Sequence, residues 1–167
     1  MAGKRRIVPD CSVLIPAYFR ETITATGREL DLTGPAKRLR NAIDLRELVA
    51  YAPELLGCEF LAATRAKTST RHGGEALSME KAREQIDRFA ELWDRFVWVP
   101  WHQLVEVAWN LTASRAISPP DAWYLACTRQ HNAELWISHE HGDGFASHAR
   151  RVHDRVYTLT EDSFDRV

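Results

Sequence analysis

Carboxylates placed where an apolar segment ends are the residues of this chain that could do chemistry. In Ile7-Val8-Pro9-Asp10-Cys11-Ser12-Val13-Leu14-Ile15 one acid and one hydroxyl interrupt an otherwise apolar run. A strand buried on both faces should be continuously apolar, so Asp10 at its end needs compensation from a metal, a cation or helix N–H donors. Asp10 is therefore either the cap of a following helix or a ligand. Glu59 lies among apolar neighbours in Gly57-Cys58-Glu59-Phe60-Leu61-Ala62 and either snorkels to solvent or faces a polar cleft. Asp121, in Ser118-Pro119-Pro120-Asp121, fits a capping box with Ser118 as cap. Glu140 and Asp143 follow the apolar run Leu135-Trp136-Ile137-Ser138 by a few residues. Carboxylates sharing a cleft stay ionised together only when cations neutralise them, and an all-oxygen donor set suits a hard cation such as Mg²⁺.

The elements that must position these acids read as alternating strands and helices. Arg6 to Leu14 reads as a strand turning into a helix that continues toward Phe19, with Pro9 awkward for a central strand and Pro16 fitting best near a helix start. Residues 22–35 are polar and broken by Gly27, Gly34 and Pro35, which predicts a loop or small excursion. The wider stretch 22–53 has no assigned role. Roughly helical spacing of Leu39, Ile43, Leu45, Leu48 and Val49 predicts a helix over Ala36–Tyr51, and Pro53 starts another that carries Leu55, Leu56, Phe60 and Leu61. Ser78 can cap a helix bearing Ile86, Phe89, Leu92 and Trp93. The remaining expectations are strands at Phe96–Val99, Leu135–Ser138 and Val156–Leu159, with helices over Trp101–Ala116, from Ser118, and around His148–Val152. This alternation predicts an α/β fold with a small central parallel sheet of about four strands and helices on both faces. In such sheets ligands bind at the carboxyl ends of the strands, which places Asp10, Glu140 and Asp143 on one edge.

A chain of 167 residues with 45% apolar composition fits one domain, expected to span 1–167. The net charge of -1 excludes a protein that coats nucleic acid by charge alone. Up to Arg46, however, nine Lys and Arg face five acids, a local basic rim. Cys11, Cys58 and Cys127 are widely spaced, without CxxC pairs, and read as buried thiols in a reducing compartment. Asp10 and Pro16 break any signal-peptide core, and no run is long enough to span a bilayer, so a soluble cytoplasmic protein is expected.

Three of these stretches together resemble a PIN-domain ribonuclease: Asp10-Cys11-Ser12 after the first strand, Glu59 in Leu56-Gly57-Cys58-Glu59, and Asp121-Ala122-Trp123-Tyr124-Leu125-Ala126. Within that family the chain is similar to the toxin half of VapBC-type toxin–antitoxin pairs. The resemblance implies Asp10, Glu59 and Asp121 as metal carboxylates for one or two Mg²⁺ or Mn²⁺ ions, with Ser12 supporting the site. It implies hydrolysis of RNA to 5′-phosphate and 3′-hydroxyl ends, an antitoxin over the acidic cleft, and a homodimer formed through apolar helix faces. The family usually carries Thr-x-Asp where this chain has Ser138-His139-Glu140. Register favours Glu140 as the fourth acid, with Asp143 as the other choice.

Arg20, Arg38, Arg40, Arg65 and Arg71 are the candidates for RNA phosphate contacts. Trp101, Trp109, Trp123 and Trp136 could stack bases, but their spacing assigns them to the core. Two other readings stand beside the ribonuclease. His139 and His141 with Asp143 could serve a different metallohydrolase, or the chain could be a catalytically silent module that binds RNA or a partner.

Overall fold

Ile7 and Val8 project to opposite faces of the first strand, β1 (Arg6–Pro9), and both are fully buried, so both faces are covered. The computed structural model describes residues 3–25, 28–69, 76–113, 117–138 and 144–159. After β1 the elements are α1 (Cys11–Tyr18), β2 (Thr22–Ala25), β3 (Arg28–Asp31), α2 (Thr33–Asp44), β4 (Val49–Pro53), α3 (Leu55–Lys67) and α4 (Met79–Ala90). They continue with β5 (Phe96–Val99), α5 (Trp101–Thr112), α6 (Pro119–His131), β6 (Glu134–Ile137), α7 (Phe145–Arg150) and β7 (Val156–Thr158). A parallel sheet in the order β5-β4-β1-β6-β7 forms the centre, and β2 and β3 make a separate antiparallel hairpin. This is the expected α/β architecture, with five strands in the parallel sheet.

The added strand is β4. The expected helix over Ala36–Tyr51 ends early, as α2, because Leu45 is 69% exposed and Arg46 takes a left-handed φ of 54°. Val49–Pro53 then pairs with β1 on one side and β5 on the other, so two ladders override the local helical spacing. The stretch expected as a loop holds the hairpin, registered from Thr22 opposite Asp31 to Ala25 opposite Arg28. Pro9 is tolerated in the central strand because it is the last residue: the ladder to β4 runs through Ile7, while that to β6 reaches Pro9. Pro16 lies inside α1, past its middle, not at the start.

Packing fixes the helices that carry the acids. Phe60 of α3 stacks on Phe89 of α4 at 4.0 Å and meets Tyr18 of α1 edge-on at 5.0 Å, which ties three helices together. Trp136 is fully buried and Trp123 packs partly against the core, but Trp101 and Trp109 of α5 are 60% and 72% exposed, contrary to the core expectation. Cys11 and Cys127 are buried as expected, whereas Cys58 is exposed. Among the described residues no helix is long and apolar enough to cross a membrane.

Candidate active site

The chain leaves β1 for β4 on one side, and β6 pairs on the other, so the crevice at the carboxyl end of β1 is a topological switch point. Asp10 stands there as the N-cap of α1. Its Oδ1 accepts the Ser12 N–H at 2.7 Å, and the residue is only 8% exposed. Cap and cleft wall are thus the same carboxylate. The Ser12 hydroxyl accepts the Ser138 N–H at 3.2 Å, which fastens the end of β6 to the start of α1.

Glu59 and Asp121 reach the same place from two helices. A helix that leads back into a parallel strand begins at the carboxyl edge of the sheet, so the first turn of α6 delivers Asp121 there. Ser118 Oγ donates to Asp121 Oδ2 at 2.6 Å and accepts the Asp121 N–H at 3.3 Å, the capping box expected from sequence. Three residues on, the buried Tyr124 hydroxyl donates to Glu59 Oε2, because a phenol in a core must find a partner. Asp10, Glu59 and Asp121 line one cleft of about 470 Å³ together with Ser12, Ser138 and Glu21.

The electrostatics record that crowding. Burial pushes the Glu59 carboxyl up to about 7, the Tyr124 hydroxyl partly offsets it, and the neighbouring charges of Asp10 and Asp121 raise it further. Burial also raises the Tyr124 hydroxyl well above its ordinary value, with Asp10 and Glu59 adding to it. The Cys11 thiol is raised by burial and then by Asp10, Glu59 and Glu21, so it stays protonated and is a poor ligand. Oxygen is what remains to bind a cation. Among the described residues no three His, Cys, Asp or Glu side chains are drawn close enough to cage an ion. The acids that line the cleft are oxygen donors, the kind a hard cation takes, but they stand apart and form no ready-made ligand set.

Glu21 and the Tyr124 hydroxyl are site features absent from the sequence reading. Glu21 follows α1 rather than a strand, and its carboxylate takes Lys67 Nζ at 2.5 Å. The signal for Tyr124 was available, as a phenol one helical turn from Asp121 on a buried face. Glu140, Asp143, His139, His141 and Arg71 lie outside the described residues. The other arginines do not line the acidic cleft. Arg40 donates to the Tyr18 hydroxyl at 3.3 Å and lies over its ring, Arg65 bonds Thr68 at 3.0 Å, and Arg38 is exposed on α2. Arg20, with its side chain 83% exposed, stands 3.9 Å from Asp31.

No family model matches the sequence, and none of the curated proteins matches it. Two solved structures share the fold. PAE2754 from Pyrobaculum aerophilum superposes with a TM-score of 0.56 at 14% identity, over 86% of this chain and 79% of that one. FitAcB from Neisseria gonorrhoeae gives 0.58 at 13% identity, over 93% of this chain and 99% of that one. At such identities the likeness concerns the backbone, and the chain has a PIN-like α/β fold.

Proposed function

We propose that the protein is a Mg²⁺- or Mn²⁺-dependent endoribonuclease, the toxin of a toxin–antitoxin pair. The observation that carries this reading is the convergence of Asp10, Glu59 and Asp121, from a strand end and two helices, on one cleft at the switch point of the sheet. A fold gains nothing from crowding like charges there, and a cation is the simplest compensation. Asp10, Glu59 and Asp121 would hold it, with Glu140 or Asp143, which follow β6 in the sequence, as the fourth acid. Bound there, it would neutralise the carboxylates, draw in a phosphodiester and make water acidic enough to attack phosphorus.

The chain's own contribution is preorganisation. Ser12 N–H fixes the Asp10 carboxylate, the Ser118 hydroxyl fixes Asp121, and the Tyr124 hydroxyl fixes Glu59. Each acid therefore has a defined orientation before substrate arrives. The PIN resemblance supplies the rest of the reading: cleavage to 5′-phosphate and 3′-hydroxyl ends, an antitoxin that covers the cleft, and a homodimer.

Unstructured RNA with Mg²⁺ or Mn²⁺ tests it. Asparagine is as good an N-cap as aspartate, so Asp10→Asn keeps α1 and removes the charge. Asp10→Asn and Asp121→Asn should each lower cleavage by about 100-fold or more, the equivalent of roughly 3 kcal/mol of charge stabilisation, while His141→Ala retains activity. Cleavage that survives Asp10→Asn but not His141→Ala would transfer the reading to a metallohydrolase site at His139 and His141. No cleavage with either metal would leave a silent binding module.

A further inference from the structure

At the C-terminal end of α1, the helix that Asp10 caps at its start, lies a second cavity of about 250 Å³ between α1, the hairpin, α2 and α4, and its charge is opposite. Arg20, Lys37 and Arg88 line it against a single acid, Asp31. We propose that this cavity is a phosphate subsite, which holds a backbone phosphate of the RNA strand while another linkage of that strand occupies the acidic cleft; the proposal rests on the ribonuclease reading.

Three observations carry it. The cations are available: Arg20 stands 3.9 Å from Asp31 with its side chain 83% exposed, and Arg88 donates to Gln85 at a long 3.4 Å. Among the described residues Lys37 and Arg88 form no ion pair. Asp31 is partly occupied by the start of α2, since its Oδ1 accepts the Thr33 N–H at 2.8 Å. Second, among the described residues no Lys or Arg lines the acidic cleft, and Lys67 pairs with Glu21. A polyanion engaged by carboxylates and a cation at one linkage still needs positive side chains for the next phosphates. Third, both spaces are built on α1 and the residues that follow it. Ile15 and Glu21 line the cleft, whereas Pro16 through Arg20 line the basic cavity, so residues that follow one another in the chain serve both, and a strand that leaves the cleft past Glu21 would meet Arg20 next. The stretch before β4, without a role in the sequence reading, thereby gains one: it supplies Lys37 and the outer wall.

The test is fluorescence anisotropy of a labelled single-stranded RNA decamer with Mg²⁺, on the full-length chain carrying Asp121→Asn to prevent turnover. Lys37→Glu and Arg88→Glu should each weaken binding several-fold and lower the slope of log K against log salt by about 0.7 per lost phosphate contact. Lys81→Glu, the same charge change on an exposed site of α4, is the control for the general field and should bind as the parent does. A dinucleotide probe, too short to reach the cavity, should show no difference between Arg88→Glu and Lys81→Glu. If the three reversals weaken decamer binding equally or not at all, the subsite is overturned while the cleavage reading stands. A wild-type chain that neither binds nor cleaves RNA overturns both.

Discussion

Glu59 is an acid whose environment favours its proton. Burial and two neighbouring carboxylates raise it from the ordinary 4.5 to about 7, so its ionised form costs the folded state free energy. The sign follows: the folded and unfolded forms bind the proton alike below the ordinary carboxylate value, and above it the folded form retains a proton that the unfolded form has lost. Stability of the metal-free protein should therefore fall as pH rises from about 4.5 to about 7. Solvent at the open cleft reduces the effect to about 1–2 kcal/mol. Glu59→Gln should remove that decline, and Mg²⁺ should stabilise the wild type more than the variant, both read from urea denaturation at pH 5 and pH 7.5. At this scale the sequence was informative where an acid followed a strand or sat in a capping box. Glu21 carries neither signal, because its place in the cleft depends on how the end of α1 sits against α3.

β6 shows what a charge in the sheet requires. Glu134 is 4% exposed, yet it accepts from Arg5 at 2.6 Å, Arg155 at 3.0 Å and the Trp136 indole at 3.1 Å. Burial alone would raise its carboxyl, but the Arg5 and Trp136 hydrogen bonds, the Arg5 charge and the Arg155 hydrogen bond outweigh it and hold it below the usual value. Its contribution is present above the ordinary carboxylate range and is lost as pH falls through the lowered folded value. Glu134→Gln should cost about 2–3 kcal/mol at pH 7, the lower end for a broken buried pair because both arginines keep some solvent. The deficit relative to wild type should shrink below about pH 4, as followed by chemical denaturation. The strands β5, β6 and β7 were legible as short apolar runs between breakers. β4 was not, because Val49 continues the helical spacing of Leu39 and Ile43, and only the ladders from β1 and β5 decide its state.

Across the whole molecule the unexpected surface is α5. Trp101, Val105 and Trp109 recur one helical turn apart and are 60%, 41% and 72% exposed, so the helix shows an apolar stripe on the side away from α6. Their spacing looks like a core face, and sequence cannot reveal that the neighbouring helix covers only the other side. The homodimer proposed above would cover this stripe. Trp109→Glu should shift the sedimentation coefficient from dimer to monomer at micromolar concentration without changing the melting of the monomer fold. A wild-type chain that sediments as a monomer at every concentration would remove the homodimer from the proposal.

The position of β1 sets a timetable for the cleft. Ile7 pairs with Glu134, and the Ser12 hydroxyl waits for an N–H that is 126 residues away in the chain. A ribosome releases the first strand well before β6, the neighbour with which it pairs. Until then Asp10 has no opposing wall, and a long loop must close before the acids meet. A chain arrested before β6 therefore carries the first carboxylate of the cleft without the wall that β6 supplies, and any activity of the cleft has to wait for that strand.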